Sequence, residues 1–282
     1  MQMLYISHKP QFPLSQFIDC LWHVSGQTPY LREKVLPTGT MNLIFNFGSP
    51  HKVFDKTDNE KFDLCQNSWI AGMQTECFVM EATAETNVVG IQFKPGGAYP
   101  FFDFPILELS NLIVEMDLIW GSIADEIREQ LFEIDELTEK FKFLEEVLLI
   151  KLSSNLYGLN PVRFAVSQVE KTDGFSTIRE LSDKVGMSQK HLIHQFHKMV
   201  GVSPKLLARI FKFNHVLNTI DPARPINWVS IAYDCNYYDQ AHFNKDFMAF
   251  SGLNPSTYLQ LRHEFLGDNV KKGEDANFVP IA

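Results

Sequence analysis

The chain has 282 residues, with 45% hydrophobic and 21% charged residues, the balance of an ordinary globular protein rather than a disordered or collagen-like one. No run of about 18 uncharged apolar residues is present, which argues against a membrane span, and Met1 to Pro13 lacks the charged-then-apolar pattern of a secretory leader. Four cysteines, Cys20, Cys65, Cys77 and Cys235, are scattered without a CxxC pair, so reduced thiols and a cytoplasmic location are expected.

The net charge is −9, but it is unevenly spread. Residues 1–160 hold 11 Lys and Arg against 22 Asp and Glu; residues 161–266 hold 12 against 9, with six of the nine histidines. An acidic front and a mildly basic back suggest two modules with different partners.

In the front half, Met41 to Phe47 alternates apolar and polar residues and runs into Gly48-Ser49-Pro50, a strand followed by a turn. Trp69 to Gly72, Cys77 to Met80 and Val88 to Phe93 read as further strands. The polar residues 51–67 read as a hairpin loop, and Lys94-Pro95-Gly96-Gly97 as a turn. Near Ser110 the pattern changes. Ile123, Ile127 and Leu131 form one helical stripe, and Leu137, Phe141, Leu144, Leu148 and Leu152 another. The second stripe could cover the sheet or form a dimer face. Tyr157-Gly158-Leu159-Asn160-Pro161 reads as an interdomain connector. The fold class expected is α+β: a mainly β domain with following helices over 1–156, an all-α domain over 161–266, and a flexible tail over 267–282.

The back half contains an imperfect duplication. Residues 177–200 and 226–250 each read as a short helix, a tight turn and a second helix. The turn needs a left-handed backbone residue, supplied by Gly186 and by Asn236. Ser188 and Asp239 follow as N-caps. Leu192/Phe196 and Phe243/Phe247, each pair four apart, are expected in the core. After each unit a glycine ends one helix and a proline starts the next: Gly201-Val202-Ser203-Pro204, then Gly252-Leu253-Asn254-Pro255. Leu206 to Ile220 reads as a continuous helix joining the units. This is the spacing of two helix-turn-helix units, whose second helices enter the major groove of DNA.

Residues 161–263 resemble the DNA-binding domain of the AraC/XylS family of bacterial transcription regulators. The resemblance rests on Thr172-Asp173-Gly174, Leu181-Ser182, Gly186-Met187-Ser188, Ser203-Pro204 and Ala208-Arg209-Ile210 in the first half. Ile231-Ala232, Tyr237, Phe243, Phe247, Gly252, Pro255-Ser256 and Tyr258 carry it in the second. It implies base reading by Lys190, Ile193 and His194 and by Gln240, Ala241, Asn244 and Lys245. Gln189, Lys198, Lys205 and Arg209 are the phosphate candidates, which position a protein on DNA without specifying sequence. The chain departs from the family at Ile193 and His194, where Arg or Gln is frequent, and at Asn236, which replaces glycine. Residues 36–48 and 90–102 resemble the N-terminal domain of one subgroup of these regulators.

The partners expected are double-stranded DNA, with RNA polymerase, a small-molecule effector and a second copy of the chain as further candidates. Phe45, Phe47, Trp69, Phe93 and Phe101 could line an effector pocket or be plain core. No nucleotide loop, metal-ligand set or nucleophile setting is legible, so no cofactor, no metal and no catalysis are expected. Two other classes of reading are an effector-sensing enzyme domain tethered to a DNA-binding module, and a module whose second helices bind a protein partner.

Overall fold

The computed structural model describes residues 3–27, 32–56, 58, 60–82, 85–152, 159–222, 224–266 and 276–281. The front half is a two-sheet β structure with helices on one side. Its strands are β1 Leu4–His8, β2 Ile18–Gly26, β3 Arg32–Val35, β4 Met41–Asn46, β5 His51–Phe54, β6 Phe62–Cys65, β7 Ser68–Ala71, β8 Phe78–Ala82, β9 Thr86–Phe93 and β10 Ile113–Glu115. One sheet runs β1-β2-β9-β4-β7-β10. The other runs β3-β8-β5-β6 and is extended at β3 by the last strand of the chain, β11 Phe278–Ile281.

Side chains alternate across a strand, and β4 shows the consequence. Leu43 and Phe45 point into the main core beneath the helices. Ile44 points the other way, into a smaller cluster with Cys65, Trp69 and Val88. Helices α1 Asp117–Trp120, α2 Ser122–Glu133 and α3 Leu137–Lys151 follow the strands. Phe141, Leu144 and Leu148 bury the apolar face of α3. The buried stripe of α2 is Ala124, Ile127 and Leu131. Ile123, expected in that stripe, is exposed, and Ala124 takes the buried position one residue on.

The back half is helical: α4 Leu159–Lys171, α5 Ile178–Val185, α6 Gln189–Met199, α7 Pro204–Thr219, α8 Trp228–Asp234, α9 Gln240–Ser251 and α10 Pro255–Leu266. The main core does not stop at the domain boundary. It runs from the sheet through Leu159, Val162 and Val169 of α4 to Leu192 and Phe196 of α6 and Leu207 of α7. A second core gathers Phe213 and Leu217 of α7, Phe243, Phe247 and Phe250 of α9, and Leu36 just after β3.

Three expectations change. The 51–67 stretch is not only a loop, since β5 and β6 pair within it from His51↔Cys65 to Phe54↔Phe62; Phe62 and Leu64 alternate along β6 but are exposed, and the polar residues between the strands mask the pattern. The connector is helical from Leu159, because Leu159 and Val162 are buried and Pro161 sits in the first turn, where its missing N–H costs nothing; Tyr157 and Gly158 lie outside the described residues. The tail expected to be flexible ends in a strand, because Val279 finds a buried apolar site beside the open edge of β3; residues 267–275 and 282 lie outside the described residues.

Candidate nucleic-acid interface

The first helix pair opens with a reciprocal cap. Thr177 Oγ1 accepts from Glu180 N at 3.2 Å, while Thr177 N donates to Glu180 Oε2 at 2.9 Å. α5 ends at Gly186, whose φ of 67° is left-handed. Ser188 Oγ then accepts from His191 N at 3.2 Å and starts α6. Leu192, Phe196 and Met199 face the core. Gln189, Lys190, His191, His194 and Lys198 are exposed, and Ile193 is half-buried.

The second pair repeats the scheme with different residues. Asn227 Oδ1 accepts from Val229 N and Ser230 N and caps α8. Asn236 takes the left-handed turn with φ 56°. Lys212 of α7 secures this turn: its Nζ donates to Asn236 O at 2.7 Å and stands 3.7 Å from the centre of the Tyr237 ring. Burial holds the Lys212 amine below its usual pKa range. Asp239 Oδ1 accepts from His242 N at 2.7 Å and starts α9. Phe243 and Phe247 turn inward, and Gln240, Ala241, Asn244 and Lys245 are exposed. The closures are also as the sequence suggests. Ser203 caps α7 ahead of Pro204, and Asn254 Oδ1 accepts from Thr257 N beside Pro255 at the start of α10.

The expected base-reading residues therefore lie on two capped helices, Ile193 being the least exposed of them. The phosphate candidates divide. Gln189 and Lys205 are exposed on the surface. Lys198 faces the front domain: its Nζ lies 5.6 Å from the centre of the Tyr99 ring, and it lines a cleft of about 260 Å³ with Tyr99, Pro100, Phe102, Asp103, Phe104 and Pro105. Arg209 is paired with Asp246 inside the domain.

The five aromatics considered for an effector pocket are not brought together. Phe45, Phe93 and Phe101 belong to the main core, with Phe93 and Phe101 at 5.5 Å between ring centres. Trp69 lies between the two sheets against His51. Phe47 is half-buried against Phe132. Two features escaped the sequence reading. One is Lys212, hidden because a lysine on an amphipathic helix reads as solvated. The other is Tyr238, 91% exposed immediately before the cap of α9; a large aromatic at that position was the available signal.

Each half of the domain is docked on the front domain. Ser110 Oγ donates to Gly201 O beside α6. Cys77 Sγ donates to Ser251 O at the end of α9. Asn214 Nδ2 of α7 donates to Pro37 O at 3.1 Å. Among the described residues no helix is long and apolar enough to cross a membrane.

Two families match separate parts of the chain. Residues 6–115 match a family described as a domain of unknown function (DUF6597). Residues 181–261 match a helix-turn-helix domain family. No curated protein matches the chain. Among solved structures, ToxT from Vibrio cholerae O395 is similar at 13% identity and TM-score 0.46, covering 89% of this chain and 99% of that one. Unsaturated fatty acid bound wild-type ToxT from Vibrio cholerae strain SCE256 gives 12% identity and TM-score 0.43, covering 91% and 94%. A probable AraC family transcriptional regulator from Rhodopseudomonas palustris CGA009 is 28% identical with TM-score 0.33 over 36% of this chain and 95% of that one. Residues 181–261 are a helix-turn-helix domain, and with it the chain carries the DNA-binding part of a transcription regulator.

Proposed function

We propose that the chain binds specific DNA sites by laying α6 and α9 into successive major-groove segments on one face of the duplex, about one helical turn apart. The observation that carries this reading is the shared construction of the two helices. Each starts at a side-chain cap after a left-handed turn, buries a Leu/Phe or Phe/Phe pair, and leaves amides and cations outward. Those groups match base-edge donors and acceptors in the major groove. Lys190, Ile193, His194, Gln240, Ala241, Asn244 and Lys245 are assigned to bases, and Gln189 and Lys205 to phosphates. Lys198 joins the phosphate contacts only on leaving Tyr99, and Arg209 is assigned to Asp246 instead. The front domain modulates this binding through the core it shares with α4, α6 and α7. A small-molecule effector, RNA polymerase and a second copy are the further partners this reading admits. It assigns no catalysis to the chain and places it in the cytoplasm.

The test is binding of the purified full chain to its own upstream DNA and to random DNA at two salt concentrations. Preference for upstream DNA that survives the higher salt is expected. Equal binding to both, lost with salt, is the signature of phosphate contact alone and overturns the assignment of base readers.

A further inference from the structure

The last strand of the chain lies outside the helix-turn-helix domain, yet it touches both domains. β11 pairs antiparallel with β3, Phe278 opposite Val35 and Ile281 opposite Arg32. Leu36 N donates to Asn277 O at 2.8 Å. The Asn277 side chain reaches across the boundary: its Nδ2 donates to Asn214 Oδ1 of α7 at 2.6 Å and to Pro37 O at 3.4 Å. Tyr258 of α10 donates its hydroxyl to Ala276 O at 2.8 Å. Val279 is fully buried in the cluster that holds Leu36, Phe247 and Phe250, the inward side of α9. The segment thus fastens the second helix pair, from behind its recognition helix, to the edge of a front-domain sheet.

The fastening is short. β11 has four residues, and Pro280 lacks an N–H for the ladder, which suits an edge strand and weakens it. Besides the ladder and the bond from Tyr258, its hold comes from three buried residues, Ala276, Val279 and Pro280, and from the bridging Asn277. Meanwhile each half of the DNA-binding domain is docked separately on the front domain, near Ser110 and near Cys77, in addition to being joined through α7.

We propose that β11 is a release strap. Seated on β3, it holds the second helix pair in the docked orientation and keeps DNA affinity low. Displaced, it frees α8 to α10 to align with the second groove segment. Any binding that requires release loses affinity in proportion to the population of the released state. This inference rests on the proposed DNA-binding reading and names its regulation.

Two full-length variants test it. Val279→Glu puts a carboxylate into the buried site, and Asn277→Ala removes the bridge while leaving the apolar packing in place. In both, the Leu36 amide is expected to exchange faster with solvent, and affinity for upstream DNA to rise about fivefold or more, the lower range of allosteric coupling. If Val279→Glu does not fold, Asn277→Ala carries the test. Unchanged Leu36 exchange in Asn277→Ala overturns the strap, as does faster exchange with unchanged or weaker upstream binding. Absence of any upstream preference in the unaltered chain overturns the DNA-binding reading instead, and the exchange measurement separates the two failures.

Discussion

Arg209 on α7 grips Asp246 on α9 with two nitrogens along one edge of its guanidinium: Nη2 to Oδ1 at 2.7 Å and Nε to Oδ2 at 3.4 Å. The Asp246 side chain is 6% exposed. The same guanidinium lies over the Phe250 ring at 5.2 Å. The pair fixes the second recognition helix from its buried side, so Arg209 acts on stability before it can act on DNA. Arg209→Met keeps most of the packing and strands the buried carboxylate. Removing one partner of a buried pair costs about 3–5 kcal/mol, and the partial exposure of Arg209 reduces this to about 2 kcal/mol. A lowered urea midpoint, partly restored by adding Asp246→Asn, is expected. A phosphate contact would instead weaken DNA binding with the midpoint unchanged.

Lys245 and Lys205 separate reading from positioning. Both are exposed, Lys245 on the outward face of α9 and Lys205 at the start of α7. Lys245→Ala is expected to cost about 1–3 kcal/mol on the preferred site and little on random DNA. Lys205→Ala is expected to weaken binding equally on both and to reduce the salt slope by about one. Titrations of the two variants on both DNAs, at several salt concentrations, check this. Equal losses for Lys245→Ala would move it to the phosphate group.

The two turns offer an experiment on backbone alone. No atom lies within 4 Å of a Cβ built on Gly186, so Gly186→Ala is penalised only for its left-handed φ. That costs about 1–2 kcal/mol. Asn236 already pays part of this cost, so Asn236→Gly is expected to hold or slightly raise stability. The Lys212 bond to the Asn236 carbonyl survives that change because it uses the backbone oxygen. Urea unfolding of both variants gives the comparison.

What was legible in the sequence was local. Gly186, Asn236, Ser188, Asp239, Ser203 and Asn254 each sit where a turn or cap requires their type, so the helix pairs could be placed closely. The spacings Leu192/Phe196 and Phe243/Phe247 fixed which faces turn inward, and therefore which residues turn outward. The front domain was harder. β1 is largely exposed and β3 is half-buried along its length, so neither shows period two. What a cation pairs with is a tertiary fact. Lys190 and Arg209 look alike in sequence, but only Arg209 has a buried carboxylate one helix away. The same holds for β11, whose burial depends on the β3 edge more than 240 residues earlier.

His51 provides a pH-dependent prediction for the front domain. It lies on β5 between the sheets, buried, with its ring 5.4 Å from that of Trp69. Its Nδ1 has no hydrogen-bond partner among the described residues. Burial holds the imidazole below its ordinary pKa, so the folded chain favours the neutral ring. In the unfolded chain the ring takes up its proton near pH 6.5. Below that pH the unfolded state binds more protons than the folded one, so this contribution is complete above about pH 6.5 and is lost as the pH falls through it. His51→Gln removes the titration while keeping a polar side chain of similar length. Thermal melts between pH 7.5 and 5, a window spanning the ordinary histidine pKa of about 6.5, should show a smaller fall in midpoint for His51→Gln than for the unaltered chain. Parallel falls would mean that the ring is protonated as readily in the folded state as in the unfolded one, and that the space between the sheets admits water.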